Sequence, residues 1–358
     1  MKRGADLDVL VAGGGPAGLA TAIMAATAGL RVAVVEPRTG PIDKACGEGL
    51  MPGAVDALAA LGVRPVGHLL RGIRYLDGDV TVTADFSAGP GLGVRRTALH
   101  DALRARVDEL GITVEQGIVR GIRQHDGAVV DDNGRRARYL IAADGLHSPI
   151  RAALDLDAPV HGVARFGVRR HYEVAPWTDH VEVHWARTFE VYVTPVAADL
   201  VGVAVLGPRG TRIDEALASL PALRRRLEGA RSGSDRGAGP LRQRARSRVA
   251  GRVLLVGDAA GYVDALTGEG IRLAIAEGQA AVDAVLGEDP SGYERRWRQI
   301  TARYRISTGL LLAGAARPVV RKRVVPAAAR FPSVFRRFVD ALAEGDGTRA
   351  GRGTGVRA

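Results

Sequence analysis

The first forty residues alternate between apolar runs and a glycine-rich turn. Residues 7–12 are almost continuously apolar, which is typical of a strand buried on both faces. Residues 16–28 have helical length and small side chains, and Gly29 ends that helix. Residues 31–36 form a second apolar run. The order of strand, helix and strand predicts an α/β unit with a parallel sheet.

A different pattern, with a period of two residues, follows in two places. Residues 75–86 alternate around Asp77-Gly78, a pair typical of a hairpin turn. Four segments between residues 166 and 207 alternate with short gaps, and they predict an antiparallel sheet. Helices are predicted at residues 97–110 and 216–228. The polar, Gly-rich segment RSGSDRGAGP, residues 231–240, is expected to be an exposed loop.

The C-terminal third returns to the opening pattern. GRVLLVGDAAG predicts another buried strand, residues 270–286 and much of 293–343 predict helix, and residues 346–358 form a low-complexity tail expected to be disordered. We therefore predict a discontinuous nucleotide-binding domain and an inserted sheet domain, followed by C-terminal helices. The predicted bounds are 1–65, 96–160 and 246–290 for the first domain, 66–95 and 161–245 for the second, and 291–345 for the helices.

Composition narrows the class of protein. Apolar residues make up 46% of the chain and aromatic residues 4%, as in an Ala/Val/Leu-rich globular protein. The single cysteine, Cys46, excludes an intramolecular disulfide and a multi-cysteine metal site. The first apolar run begins at Leu7, and no run approaches the ~18 apolar residues of a membrane span. These features favour a soluble, cytoplasmic monomer or homodimer.

The formal charge of +11 raises the question of an anionic partner. Only three basic residues are lysine, and the arginines are scattered without interleaved aromatic residues. We therefore expect no nucleic-acid partner, while attraction of small anions or of a membrane surface stays open. The amphipathic segment RFPSVFRRFVDAL fits a packed terminal helix, or a helix that contacts a membrane or an apolar substrate.

A phosphate-binding pattern follows the first strand. Gly13, Gly15 and Gly18 form GxGxxG between a strand and a helix, where they allow a tight turn, close approach of a diphosphate and close helix–sheet packing. Glu36 ends the second strand, where a carboxylate can accept hydrogen bonds from ribose hydroxyls. The combination predicts dinucleotide binding; the alternative is a glycine turn used only for packing.

Two further segments specify the dinucleotide. YLIAADGLHSPIR (139–151) and RVLLVGDAAGYVDALTGEGI (252–271), together with the opening pattern, resemble the three motifs of the FAD-dependent para-hydroxybenzoate hydroxylase and geranylgeranyl reductase superfamily. The resemblance implies a glutathione-reductase-like FAD-binding Rossmann fold with an inserted antiparallel sheet and a helical C-terminus. It implies that Asp258 contacts the ribitol of FAD and that Gly270 begins a helix beside the flavin. GVRRTALHDAL resembles the superfamily's RxxL segment, in which Arg96 would reach the FAD phosphates.

The resemblance extends these roles to a set of neighbouring positions. The residues implied to bind FAD are Gly13, Gly15, Pro16, Ala17, Gly18, Glu36, Pro37, Arg38, Cys46, Gly47, Arg96, Asp144, Gly257, Asp258, Gly268, Gly270 and Ile271. Asp144 equally fits a turn at the end of a strand.

The substrate side carries weaker signals. KACGEGL resembles the CGGGL segment of the reductase branch, with Glu48 in place of the middle glycine. Cys46 is then a proton donor, a residue of the substrate pocket or a small buried apolar side chain. FEVYVTP stands where geranylgeranyl reductases have YxWxFP, and the resemblance implies that Pro195 lies near the flavin. Glu190, Tyr192 and Thr194 replace the tyrosine, tryptophan and phenylalanine of that pattern, a departure that counts against a long isoprenoid substrate. The candidates for catalysis are therefore Cys46, Glu48, Tyr192 and Pro195. His180 and His184 lack a third ligand, so we expect no metal.

The reaction expected from the resemblance is a monooxygenation. The resemblance implies that FAD reduced by transiently bound NAD(P)H would react with O₂ to give a C4a-hydroperoxide. Its distal oxygen would hydroxylate a small aromatic or polyketide-like metabolite of secondary metabolism. A dedicated NAD(P)H domain is not expected, because no second GxGxxG appears. The alternative is a reductase of the geranylgeranyl reductase type, which reduces C=C bonds of an isoprenoid or other apolar substrate; CGEGL and TGEGI favour it.

Overall fold

The computed structural model describes residues 6–344 of the 358-residue chain, so the predicted tail at 346–358 lies outside the described residues. The strands are β1 (Leu7–Ala12), β2 (Val32–Glu36), β3 (Gly49–Leu50), β4 (His68–Leu70), β5 (Gly72–Asp77), β6 (Val80–Asp85), β7 (Gly91–Gly93), β8 (Thr113–Gln116), β9 (Ile122–His125), β10 (Ala128–Asp131), β11 (Arg136–Ala142), β12 (Arg165–Glu173), β13 (His180–Trp185), β14 (Glu190–Ala197), β15 (Leu200–Pro208), β16 (Arg231–Ser232), β17 (Arg236–Ala238), β18 (Gln243–Arg244), β19 (Val249–Ala250), β20 (Val253–Leu255) and β21 (Gly261–Tyr262). The helices are α1 (Pro16–Thr27), α2 (Pro52–Ala60), α3 (Arg96–Glu109), α4 (Pro149–Ala153), α5 (Ile213–Ala218), α6 (Pro221–Leu227), α7 (Gly270–Leu286), α8 (Pro290–Ala315), α9 (Pro318–Arg321), α10 (Val324–Arg330) and α11 (Pro332–Glu344), with a 3-10 turn at Gly257–Ala260.

The first sheet brings the predicted cofactor motifs to one edge. Its strand order is β19-β20-β11-β1-β2-β8, and β1 is parallel to both β11 and β2. Strand β20 is parallel to β11, so β1, β2, β11 and β20 all end at the same edge of the sheet. The glycine turn, Glu36, Asp144 and Asp258 follow or end these strands, which is where doubly wound sheets bind their ligands.

The second sheet covers that edge. Its order is β16-β12-β15-β14-β13-β5-β6, with β17 also on β12. All pairs are antiparallel except β13 with β5, which is parallel because β5 comes from the separate hairpin near residue 78 rather than from the run of strands after residue 165. The segment at 231–240, expected to be a loop, instead contributes β16 and β17 to β12. Backbone pairing at an exposed edge does not require apolar side chains, so the hydrophobic pattern missed it.

Prolines divide the longer predicted helices. The helix expected at 216–228 is split into α5 and α6, and Pro221 is the first residue of α6. The helix expected over 293–343 breaks before Pro318 and again before Pro332. Proline has no N–H to donate and favours the first turn of a helix, so each one starts a new segment. The hairpin turn falls on residues 78–79, one residue later than expected.

Separate cores hold the two sheets and the C-terminal helices. The core around the first sheet includes β1, β11 and helices α1 and α7. One face of the second sheet packs against α5 and α6. Its other face packs against α8, α10 and α11, where Trp185 donates a hydrogen bond to the Arg321 carbonyl at 3.1 Å. The space between the two sheets is left for a ligand.

Candidate functional site

A cavity of about 550 Å³ lies between the two sheets. Its floor is formed by the glycine turn after β1, by residues 44–51 and by the start of α7, and its roof by strands of the second sheet. Residue Leu342 of α11 closes one side. A volume of this order suits a cofactor ring or a small-molecule substrate.

The glycine turn can be formed only by glycine at two positions. Gly13 has φ +107°, and a Cβ there would lie 2.4 Å from the Ala143 carbonyl oxygen. A Cβ on Gly18 would lie 1.8 Å from the Gly13 carbonyl oxygen. Gly15 caps α1 and Pro16 follows it, so the free amides of the first turn of α1 face the cavity. This is a phosphate-binding arrangement.

Glu36 is held from two sides. Its Oε2 accepts a hydrogen bond from the Gly14 amide at 2.7 Å, and its Oε1 accepts from the amide and Nε of Arg38 at 3.1 Å and 2.6 Å. Burial opposes ionisation, but the hydrogen bonds from Arg38 and Gly14 outweigh it and lower the pKa of Glu36. Glu36 therefore fixes the glycine turn as an ionised carboxylate; its contact with a ribose stays a prediction.

Arg96 is a buried cation directed at this turn. A Cβ on Gly15 would lie 3.9 Å from its Nη2, and the residue is only 8% exposed. Among the described residues its guanidinium has neither an ion-pair nor a hydrogen-bond partner, and burial lowers its pKa. A buried, unpaired cation beside a helix N-terminus requires an anion, and a diphosphate provides one.

Two carboxylates complete the cofactor side. Asp144 accepts a hydrogen bond from the Ile150 amide at 3.0 Å, while its Oδ1 is buried without a partner within residues 6–344. Asp258 presents its carboxylate to the cavity, and removal from bulk water raises its pKa. Gly268, with φ +69°, and Gly270 bring the start of α7 to the same wall. These groups fit the phosphate, ribitol and ring of FAD.

Two residues that support the cofactor side were not predicted. Glu277 of α7 accepts a hydrogen bond from the Gly257 amide at 2.7 Å, and burial raises the pKa of Glu277 to about 8. His100 of α3 lies 3.1 Å from the Gly14 carbonyl oxygen through its Nε2. Both act on backbone groups of the motifs, and no spacing in the sequence marks them.

Glu48 fixes the position of the segment that follows β2. This residue has φ +59°, which is unusual for a residue with a side chain. Its Oε2 lies 2.6 Å from His171 Nε2, its Oε1 accepts a hydrogen bond from the Arg96 amide at 2.9 Å, and Arg169 Nε lies 3.8 Å away. Glu48, Arg169 and His171 are all less than 10% exposed. The network links the cofactor floor to β12, and His171 and Arg169 were not predicted.

Cys46 faces the cavity beside this network. Its Sγ accepts a hydrogen bond from the Glu48 amide at 3.4 Å, and desolvation raises the pKa of Cys46. The sulfur is therefore a protonated thiol at neutral pH. The neighbouring Gly47 carbonyl accepts a hydrogen bond from Thr194 Oγ1 at 2.8 Å, which fastens the segment to β14.

Strand β14 carries the two predicted residues Tyr192 and Pro195, and also Glu190, in three different surroundings. Tyr192 lines the cavity and donates a hydrogen bond to the Leu266 carbonyl at 3.2 Å. Pro195 lies within the strand with its carbonyl against Gly93, away from the cavity wall where it was expected. Glu190 is clamped between Arg165 at 2.5 Å and Arg321 at 2.7 Å. Only Tyr192 is therefore placed to touch a substrate.

The histidines considered as metal ligands have other partners. His180 Nε2 lies 2.7 Å from Asp85, and His184 Nε2 lies 3.3 Å from Glu182. Within residues 6–344, no group of three or more His, Cys, Asp or Glu side chains is arranged to hold a metal ion.

Comparison with known proteins gives the same cofactor. Residues 6–217 match the FAD binding domain family. The menaquinone reductase of Mycobacterium tuberculosis is 30% identical over 327 residues, covering 82% of this chain and 79% of that protein. The digeranylgeranylglycerophospholipid reductase 1 of Methanopyrus kandleri is 29% identical over 338 residues, covering 82% and 86%. The solved p-nitrophenol 4-monooxygenase of Pseudomonas putida shares the fold with a TM-score of 0.77 at 18% identity, over 96% of this chain and all of that one. The expected fold class is confirmed.

Proposed function

This chain belongs to the FAD binding domain family of flavoprotein oxidoreductases, and from that premise we propose that it reduces a carbon–carbon double bond of an apolar, isoprenoid-like substrate. Such a reduction adds a hydride to one carbon and a proton to the other. Bound FAD, once reduced, is a source of hydride. The chain must therefore hold the cofactor, exclude water and supply a proton.

The observation that carries this proposal is a protonated thiol on the floor of an apolar cavity. Cys46 lies in the cavity together with Ile73, Val181, Val183 and Leu266. Because the thiol is protonated at neutral pH, it carries a proton that it can give to a substrate carbon. The names of two relatives that match over 82% of this chain, reductases of menaquinone and of digeranylgeranylglycerophospholipid, support the same class of reaction.

The remaining site residues orient this donor. The Glu48 amide holds the sulfur, and the Glu48 carboxylate is fixed by the Arg96 amide and His171. Thr194 fixes the following carbonyl from the roof. The buried floor and roof keep bulk water from the reacting atoms.

The hydroxylation expected from the sequence is a second candidate. Tyr75 and Tyr192 both line the cavity, and their rings can pack against an aromatic substrate. The likeness to p-nitrophenol 4-monooxygenase concerns the fold alone.

One experiment separates the two reactions. The purified protein is checked for the absorbance of FAD, reduced with dithionite without oxygen, and mixed with a geranylgeranyl lipid. We expect oxidation of the flavin and a product heavier by two hydrogen atoms, found by mass spectrometry. A product formed only with O₂, and heavier by one oxygen atom, would establish the hydroxylase instead. Parallel titrations with NADH and NADPH identify the electron donor, which we propose is NAD(P)H.

A further inference from the structure

The positive charge of the chain is concentrated in its C-terminal helices. Residues 295–339 contain twelve Arg and Lys residues and neither Asp nor Glu. The other 38 basic residues are matched by all 39 acidic residues, so the rest of the chain has a net charge of −1. Ten of the twelve basic side chains are exposed. The net charge of +11 therefore belongs to one region rather than to the whole surface.

The same region exposes large apolar side chains. Between residues 306 and 334 these are Ile306, Leu310, Val319, Val320, Phe331 and Val334. Ile306 and Leu310 are one helical turn apart, so they lie on the same face of α8. Phe331 is 58% exposed and Val334 is 62% exposed at the start of α11. Exposed apolar residues among cations fit a surface that is itself anionic outside and apolar inside.

The basic residues of this region differ in burial: one holds the fold together, and others are exposed to solvent. Arg321 is buried, pairs with Glu190 and donates to the carbonyls of Ala186 and Phe189, so it fastens α9 to the sheet. By contrast Arg330, Arg336 and Arg337 are exposed around Phe331 and Val334. In α11 the opposite face is buried through Phe335, whose ring lies 5.2 Å from that of Tyr75.

We propose that residues 295–339 dock the protein on a membrane surface of anionic phospholipid. No helix among residues 6–344 has the length and apolar character to cross a bilayer, so the helices would lie on the surface. Charge complementarity selects the lipid, since ten basic side chains of residues 295–339 are exposed and this segment contains no acidic residue. Leu342 of α11 and Tyr75 also line the central cavity, so an apolar substrate leaving the bilayer meets the cavity at this helix. Docking itself goes beyond the proposed reaction and does not depend on it.

Vesicle cosedimentation of the FAD-loaded chain, without turnover, tests the proposal. We expect binding to phosphatidylcholine vesicles that contain phosphatidylglycerol, little binding to phosphatidylcholine alone, and release at ~0.5 M salt. The variant Arg330→Gln/Arg336→Gln/Arg337→Gln should reduce partitioning by one to two orders of magnitude, at about fivefold for each charge. The matched control, Arg224→Gln/Arg225→Gln/Arg226→Gln on α6, removes the same charge elsewhere and should bind as the parent does.

A second variant tests the apolar part. Phe331→Ser/Val334→Ser keeps every charge and should weaken binding about tenfold, with FAD absorbance and Tm showing that it folds. Equal loss in the two triple-arginine variants would overturn the proposal, because the effect would then be one of net charge. Absence of binding to anionic vesicles, or binding to RNA alone, would overturn it as well. Loss of catalysis with intact vesicle binding would count against the proposed function only.

Discussion

The floor and the roof of the cavity are assembled from different kinds of contact. On the cofactor floor, the Gly14 amide meets Glu36 only 22 residues away, and the contacts are made to the backbone of a glycine turn. Where the floor joins the roof, Glu48 contacts His171 across 123 residues and Tyr192 donates a hydrogen bond to the Leu266 carbonyl across 74. The glycine turn of the floor therefore depends on the conformations that the backbone can adopt. The junction of floor and roof depends on hydrogen bonds and ion pairs between residues that are distant in the sequence. Substitutions should distinguish these two regions. A change in the glycine turn should abolish FAD binding, whereas a change at the junction with the roof should leave FAD bound.

The largest effect is expected from Gly18→Ala on the floor. The added Cβ would lie 1.8 Å from the Gly13 carbonyl oxygen, so the turn and α1 cannot keep their places. We expect purified protein without FAD absorbance and without activity. Gly40→Ala is the matched control, because nothing lies within 4 Å of its added Cβ. Full FAD content in the Gly18 variant would show that this close packing is not required.

Glu277 should make the free energy of unfolding depend on pH. Burial raises its pKa to about 8 from 4.5, so between these values the folded protein holds a proton that the unfolded chain releases. Its contribution to stability is complete below pH ~4.5, and the free energy of unfolding should fall by about 1.4 kcal/mol per pH unit as the pH rises to ~8. Glu277→Gln should remove this slope. The free energy of unfolding of the variant, relative to that of the parent, should therefore increase by about 4 kcal/mol as the pH rises from ~5 to ~8.

Urea unfolding at several pH values measures this difference. Glu215→Gln, an exposed change on α5, should leave the slope as in the parent. Parallel curves for the parent and Glu277→Gln would mean that Glu277 is ionised in the folded protein.

The contrast between floor and roof also explains how far the sequence could be interpreted. The bounds of α7 agree with the prediction because apolar periodicity is a local property. Gly13 and Gly18 were predicted because a phosphate-binding turn requires glycine at fixed spacing, whereas Arg96 was implied by the resemblance to the RxxL segment. His171, Arg169 and Glu277 were missed because nothing local distinguishes a charged residue that is buried by a distant partner.

At the junction of floor and roof, Glu48→Ala should lower the stability of the protein without loss of bound FAD. The variant leaves His171 buried without its carboxylate, while Arg169 keeps its ion pair with Asp43. We expect a loss of about 3 kcal/mol in the free energy of unfolding. Urea unfolding measures it, and FAD absorbance shows that the floor is intact. Glu173→Ala, an exposed change at the end of β12, is the control and should cost under ~0.5 kcal/mol. A loss of FAD equal to that of Gly18→Ala would abolish the distinction between floor and roof.

Cys46→Ala tests the chemistry with little change in packing. If the thiol gives the proton, turnover of the reduced protein should fall about 100-fold, with FAD content and Tm unchanged. Because desolvation raises the pKa of Cys46, parent turnover should stay constant near neutral pH and decline only at alkaline pH. Stopped-flow oxidation of the flavin by the substrate measures both. Full turnover in Cys46→Ala would make the cysteine a packing residue.

The smallest effect is expected from Tyr192→Phe. The change removes one hydrogen bond, to the Leu266 carbonyl at 3.2 Å, and should cost about 1 kcal/mol of stability. Tyr172→Phe is the matched control, since its hydroxyl accepts from Arg170 at 3.4 Å and its ring packs in the core with α5 and α6. Both variants should lose similar stability, but only Tyr192→Phe should raise KM, by a few-fold, because only Tyr192 lines the cavity. Equal KM values would place the substrate away from β14, and the roof would then serve only to hold the Cys46 segment through Thr194.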